Sequence, residues 1–370
     1  MRKIIVFVLL SALLGAVVFT GCTGKEKETA GTKVDVFWYT FADTYLASVR
    51  NAMEEQLKGM PNLKVTMHDC EGNQMVQTQK IQTAITQGTN LLVVNIVTTG
   101  SEDASMTLVN LAREAELPIV FFNREVSNNV INSYEGACFV GTDADEAGYM
   151  QGEAIAQFLL DPENWDEGKS KYDLNDDGLI SYVMFRGEHG NAEAFGRTKF
   201  SVMQANELLA DSGLKLTPSA ANQTSTQYEN DGISNYFLYG NWSSAEATNL
   251  MGTALAAHSL TNGAIELVIA NNDDQALGAI EAMNEKGFNT GREGDGYIPV
   301  FGVDATIVAV EAIRAGKMTG TVLQDAVGMA KTILALAGNV DNGEEVFSNT
   351  ENYNIDVGTK KIRVPYAIVN

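Results

Sequence analysis

Short runs of branched and aromatic residues alternate with longer amphipathic stretches along almost the whole chain, and this alternation limits the possible folds more than any other feature. Residues 34–39, 63–68, 91–97 and 119–122 read as strands, with helices at 44–58, 74–87 and 102–116 between them. A second series follows, with strands at 139–140, 179–185, 266–270 and 298–303 and helices at 146–160, 192–210, 245–258, 274–286 and 307–315. Such alternation predicts parallel sheets covered on both faces. The tail adds a strand at 321–323, a helix at 326–337 and a last strand at 361–364. The expected architecture is α/β, with two Rossmann-like lobes: residues 33–141 plus 326–362, and residues 142–325 plus 363–370. The chain then crosses between lobes near residues 141–142, 324–325 and 363–366, which makes a three-segment hinge. A ligand cleft is expected between the lobes, beyond the carboxyl ends of the strands.

A chain of 370 residues, 45% hydrophobic and 19% charged, is long enough to bury the cores of two domains. Arg2 and Lys3 precede an uncharged apolar stretch, residues 4–19, that ends in Phe19-Thr20-Gly21-Cys22. The stretch is short for a membrane span and resembles a bacterial lipoprotein signal. Residues 1–21 would be removed, Cys22 would carry lipid, and the polar residues 22–32 would be a flexible tether. The expected location is the outer face of the bacterial cytoplasmic membrane or the periplasm, with the lipid as the only membrane contact. A formal charge of −22 repels nucleic acid and anionic headgroups, and so excludes both as direct partners. Cys70 and Cys138 abut predicted strands, where buried free thiols are expected over a disulfide.

Polar and aromatic side chains gather just after the predicted strands. Asp43 and Tyr45 follow the first, Asn123 and Arg124 follow Phe122, and Asn272 follows Ala270. Asp304 follows Val303, Gln324 follows Leu323, and Glu193 and Arg197 open the helix after Phe185. Taken singly, such residues are most often helix caps or turn formers. Gathered in two matching lobes, they offer the acceptors, amides and guanidinium fork that sugar hydroxyls need, because each hydroxyl both donates and accepts. Tyr45 and Trp242 are candidates to cover the apolar faces of a pyranose. Residues 223–241 read as a long aromatic loop that offers Tyr236, Phe237 or Tyr239 to the rim.

The stretch Asp173-Leu174-Asn175-Asp176-Asp177-Gly178-Leu179-Ile180-Ser181 sets oxygen-bearing side chains at alternate positions around a glycine, the first nine places of a calcium loop. The twelfth place, where such loops hold a bidentate Glu, is Met184, within an apolar run. A final carboxylate would have to come from elsewhere in the chain.

Several segments in order and spacing resemble the type I periplasmic sugar-binding proteins of ABC transport, in the branch that takes galactose or glucose. They include PIVFFNRE (118–125), YEGACFVGTDADEAG (134–148), DLNDDG (173–178), VIANND (268–273), PVFGVDA (299–305), GTVLQDA (320–326) and RVPY (363–366). The resemblance implies that Asp43, Asn123, Arg197, Asn272 and Asp304 bond sugar hydroxyls, with Tyr45 and Trp242 on the ring faces. It also implies a structural Ca2+ held by Asp173, Asn175, Asp177, the Leu179 carbonyl, Ser181 and a bidentate Glu266. Asn191 stands where the family has His, Glu193 where it has Asp, Gln324 where it has Asn and Ser181 where it has Gln. The first three bear on which sugar is held. The implied partners are a monosaccharide, an ABC transporter permease and a chemoreceptor, with the protein itself a monomer.

Other classes fit less well. A sugar-processing enzyme could use Asp43 and Asp304 as acid and base, but no nucleophile motif or phosphate loop accompanies them, and no histidine has an acidic partner that the sequence reveals. A gene regulator would need a DNA-binding helix pair where the export signal stands. A calcium-dependent adhesion protein remains as an alternative that sugar titration separates.

Overall fold

The computed structural model describes residues 31–225, 229, 231–257, 265–292 and 296–369. The leader at 1–21, Cys22 with residues 23–30 of the tether, and His258 lie outside the described residues.

A seven-stranded sheet forms the first lobe. Edge to edge it runs Asn354–Ile355, Lys361–Arg363, Ala137–Gly141, Ile119–Phe122, Leu91–Val94, Thr32–Trp38, Leu63–Asp69, and every pairing but the first is parallel. The second sheet has eight strands. Its path is Gln223–Thr224, Tyr236–Tyr239, Leu179–Arg186, Leu267–Ala270, Val300–Asp304, Gly320–Gln324, Tyr366–Val369. Lys215–Pro218 pairs alongside the first half of Leu179–Arg186, and Tyr236–Tyr239 alongside its end. The inner strands read as unbroken apolar runs because helices cover both faces of each sheet; every residue of Leu91–Val94, Ile119–Phe122 and Leu267–Ala270 is buried. This is the expected two-lobed α/β architecture.

The crossings are knitted together by polar contacts. A strand of the first sheet ends at Gly141, and the Ala144–Leu160 helix begins in the other lobe. Gln324 ends a strand of the second sheet, and the Ala326–Asp341 helix packs on Thr44–Leu57 of the first lobe. The third crossing runs from Arg363 to Tyr366. Thr142 joins all three: its Oγ1 lies 2.7 Å from the Tyr366 hydroxyl, Gln324 Nε2 donates to that Oγ1 at 3.5 Å, and Arg363 Nη1 donates to its carbonyl at 2.5 Å.

Several details differ from the sequence reading. Arg363, expected in the second lobe, pairs with Gly141 in the first sheet. Its guanidinium is shared by Glu125 and Asp356. Residues 366–369 form an antiparallel edge strand, too short and too close to the chain end for periodicity to reveal. The expected loop at 223–241 contains the Tyr236–Tyr239 strand, with Phe237 and Leu238 in the core. His68 does have an acidic partner, Asp35 Oδ1 at 2.7 Å, but the pair sits between neighbouring strands and away from the cleft. Cys70 and Cys138 are free and buried, as expected.

The Ala144–Leu160 and Ala192–Leu208 helices approach closely because glycines meet at their contact. A Cβ added to Gly196 would lie 2.6 Å from the Ala144 carbonyl oxygen, and one added to Gly148 would lie 2.4 Å from that of Gly196. Gly196→Val should therefore destabilise the fold by about 1–3 kcal/mol. A lowered urea midpoint with an unchanged slope is the expected result, and an unaltered midpoint would contradict the packing described.

Candidate functional site

Helix N-termini and strand ends from both lobes converge on one cleft. Its lining is Tyr39, Asp43, Tyr45, Asn123, Arg124, Asn191, Glu193, Arg197, Trp242, Asn272, Asp304 and Gln324, around about 380 Å3 that includes the open mouth. Of the residues singled out in the sequence, Asp43, Tyr45, Asn123, Asn191, Glu193, Arg197, Trp242, Asn272, Asp304 and Gln324 all line this one cavity. Arg124, noted after Asn123 in the sequence, lines it as well, and Tyr39 is the addition, with the Arg124 guanidinium 4.1 Å over its ring.

Several lining residues are helix caps as well, so the bland and functional readings hold together. Asp43 Oδ1 accepts from Leu46 N at 2.8 Å, Asn191 Oδ1 from Ala194 N at 2.9 Å, and Asn272 Oδ1 from Gln275 N at 3.0 Å. The caps fix these side chains at the mouths of helices, where free backbone N–H groups and the positive dipole end also face the cleft. The second polar atom of two of these caps has its own place. Asp43 Oδ2 accepts from the Tyr39 hydroxyl at 2.9 Å, and Asn272 Nδ2 donates to the Trp242 carbonyl at 3.2 Å.

Arg197 is the most constrained group. It is 3% exposed, and Nη1 donates to the Asn271 carbonyl at 2.7 Å while Nη2 donates to Gln324 Oε1 at 2.9 Å and to the Tyr366 hydroxyl at 3.1 Å. Asp304 Oδ1 lies 3.6 Å from Nη1. Burial pushes the Asp304 carboxyl well above the ordinary carboxylate range; Arg197 opposes this, and the carboxylates of Asp273, Asp43 and Asp274 add to it. Asp304 has φ 123°, and Trp242 has φ 64°, in the left-handed region that non-glycine residues adopt at a cost of about 1–3 kcal/mol. Trp242 lies flat against Gly187, where a Cβ would come within 2.3 Å of the indole.

The lobes meet opposite the hinge. Thr44 Oγ1 donates to Asp274 Oδ2 at 2.8 Å, and Thr99 Oγ1 donates to Glu188 Oε1 at 3.2 Å. Arg124 Nη2 forms an ion pair with Glu188 across the gap. At the lip, a Cβ added to Gly100 would lie 2.6 Å from the Gly190 carbonyl oxygen.

Tyr236, Phe237 and Tyr239, expected near the rim, do not line the cleft. Phe237 is 4% exposed in the core, and Tyr239 stacks on His189 with centroids 4.1 Å apart.

The Asp173 loop closes on itself and on Glu266. Asp173 accepts from Asp177 N at 3.1 Å and Gly178 N at 2.8 Å, and Glu266 accepts from Leu174 N at 2.8 Å and Ser181 N at 2.7 Å. Glu266 thus spans both ends of the loop, from the start of a strand whose partner follows Leu179. Burial raises its carboxyl above the usual range, and Asp173 and Asp177 add to the effect. Oxygen donors of this kind are the type a hard cation takes, and one bound there would relieve the convergence of like charges. With the carboxylates turned to backbone N–H groups, no set of three or more His, Cys, Asp or Glu among the described residues is arranged as a metal cage.

A model of the periplasmic binding protein domain matches residues 34–345. The D-galactose/methyl-galactoside binding periplasmic protein MglB of Haemophilus influenzae is 29% identical over 362 residues, 97% of this chain and 96% of that one. A putative rhizopine-binding protein of Rhizobium meliloti is 28% identical over 347 residues, 94% of this chain and 91% of its own. Among solved structures, an ABC transporter solute-binding protein from Bacillus halodurans with bound myo-inositol aligns with TM-score 0.64 at 23% identity, covering 93% of this chain and 96% of that one. One from Clostridium phytofermentans with bound β-D-glucose aligns with TM-score 0.66 at 19% identity, covering 92% and 94%.

Removing the Arg124 partner tests the clasp. A hydrogen bond to a charged group contributes about 1.5–3 kcal/mol, so Glu188→Gln should favour separated lobes. Small-angle scattering should show a larger radius of gyration for the variant. An unchanged radius would mean that the clasp does not hold the lobes together.

Proposed function

The chain belongs to the periplasmic binding protein family, as an extracytoplasmic sugar-binding component of an ABC transporter, and on that premise we propose that it captures galactose or glucose by closure of the cleft. The observation that carries this reading is the cavity built from both lobes, with planar acceptors, amides and Arg197 around it and three aromatic rings, Tyr39, Tyr45 and Trp242, in its wall. A ligand that touches both lobes binds the closed form better than the open one and shifts the population toward it. A permease can then recognise the closed shape. The family carries its ligands rather than transforming them, and the chain is not an enzyme.

In this reading Asp43, Asn123, Arg197, Asn272 and Asp304 bond the hydroxyls, Tyr45 and Trp242 cover the ring, and Asn191, Glu193 and Gln324 adjust which sugar fits. The likeness to a D-galactose/methyl-galactoside binding protein along nearly the whole chain supports galactose, and the glucose held by the Clostridium protein supports its epimer. The proposal extends to a protein that works as a monomer and is anchored through Cys22, with a chemoreceptor as a second reader of the closed state.

Calorimetric titration with a panel of monosaccharides tests the reading; one-to-one binding of galactose or glucose at roughly micromolar strength, about 8 kcal/mol, is the expected result. Trp242→Ala should weaken that binding by at least about 2 kcal/mol, near thirtyfold, with the fold intact. Binding that survives the change would place the ring elsewhere.

The same proposal includes a structural Ca2+ on Asp173, Asn175, Asp177, the Leu179 carbonyl, Ser181 and Glu266. Bound there, the ion would neutralise the converging carboxylates and tie the loop to the strand that Glu266 opens. Chelation should lower the melting temperature more than it lowers sugar affinity, because the loop is separate from the cleft. Identical melting curves with and without chelator would remove the ion from the account.

A further inference from the structure

Glu193 stands apart from the other charged groups of the cleft. It is 4% exposed and lines the cavity, and neither of its carboxylate oxygens has a hydrogen-bond partner. The two cations of the lining have Nη atoms engaged elsewhere, while the Nε of each is buried without a hydrogen-bond partner. Arg124 Nη2 pairs with Glu188 and donates to the Val97 carbonyl at 3.0 Å. Arg197 spends its Nη atoms on Asn271, Gln324 and Tyr366, with Asp304 as its nearest carboxylate. Asp43 is satisfied by Tyr39 and Leu46. The cleft therefore keeps a buried carboxylate on which no donor of another residue lands, whereas Asp304 has the Arg197 guanidinium 3.6 Å away. Leaving such a group buried costs several kcal/mol unless the ligand supplies what is missing.

We propose that Glu193 is the specificity-determining residue of the cleft, selecting ligands that present a cluster of hydrogen-bond donors toward it, with a protonated amine on a sugar or polyol ring as the best match. The inference rests on the sugar-binding reading and narrows it to a chemical class: neutral or amino-substituted rings are accepted, and rings that carry a carboxylate or phosphate are refused. An ammonium brings three donors and a full positive charge to a carboxylate that has neither, whereas a hydroxyl brings one donor. An acid group on the ligand would meet Glu193, Asp304 and Asp43 in one cleft. Burial raises the Glu193 carboxyl to about 7, with Glu125 adding to the rise and Arg197 and Arg124 opposing it, which is the behaviour of a carboxylate short of a counterion.

The experiment is calorimetric titration of the mature chain and its Glu193→Gln variant with galactose, glucose, galactosamine, glucosamine and galacturonate at pH 7. With the native chain, at least one amino sugar should bind as tightly as its parent or tighter, and galacturonate should show no measurable binding. In Glu193→Gln the amino sugar should lose about tenfold more affinity than the parent sugar, while galacturonate gains. Equal losses for amine and parent, or an amino sugar that the native chain refuses while it binds the parent, would overturn the assignment and leave the sugar-binding reading standing. Failure of every sugar, amine and acid to bind a folded native chain would remove both. Circular dichroism of the variant guards against loss of fold, and Glu193→Asp, which keeps the charge, should retain the preference for the amine.

Discussion

The buried guanidinium of Arg197 is the group on which the cleft depends. Its donors reach the carbonyl at the end of one strand, the amide at the end of another and the phenol of the third crossing, so one side chain ties the floor of the site to the hinge. A cation held at this depth requires that polar partners converge on it. Asn271, Gln324, Tyr366 and Asp304 meet that requirement, and they come from segments far apart in the chain. Sheet order decides that they meet: the strands at 267–270, 300–304 and 320–324 are neighbours, so their carboxyl ends open on the same space.

Helix capping holds three of the cleft's side chains in place. Asp43, Asn191 and Asn272 each give one oxygen to a helix terminus, which holds the side chain in one rotamer before any ligand arrives. A preorganised acceptor loses little freedom on binding, and that is how a cleft of this size can hold a small, strongly hydrated guest. The unusual backbone at Asp304, Ala305, Asn241 and Trp242 lies along the same rim, where closely packed strand and helix ends fix it.

Much of this was legible in the sequence. The parallel sheets follow from buried runs such as Leu91–Val94, and the cleft residues follow from their place after such runs, since a strand end in an α/β sheet is where ligands lie. The position of Glu266 against the loop at Asp173 was implied by the family resemblance, and its carboxylate accepts from Leu174 N and Ser181 N. What the sequence hid was pairing between distant segments. The Tyr236–Tyr239 strand sits among polar and glycine residues and borrows its order from Leu179–Arg186. The Tyr366–Val369 strand has no period of its own and exists because Gly320–Gln324 offers a free edge. Glu188 lies in a turn, and nothing local shows that it answers Arg124 across the gap. Likewise, His68 finds Asp35 only because two strands run side by side.

The bare backbone contact at the lip, Gly100 against Gly190, works as a doorstop. Because no side chain intervenes, the width of the shut doorway is set by main-chain atoms, and a methyl group added there would prop the two halves apart without altering any atom that faces the guest. Tightness of capture and choice of guest are therefore written in separate parts of the chain. Each can drift through mutation while the other is preserved.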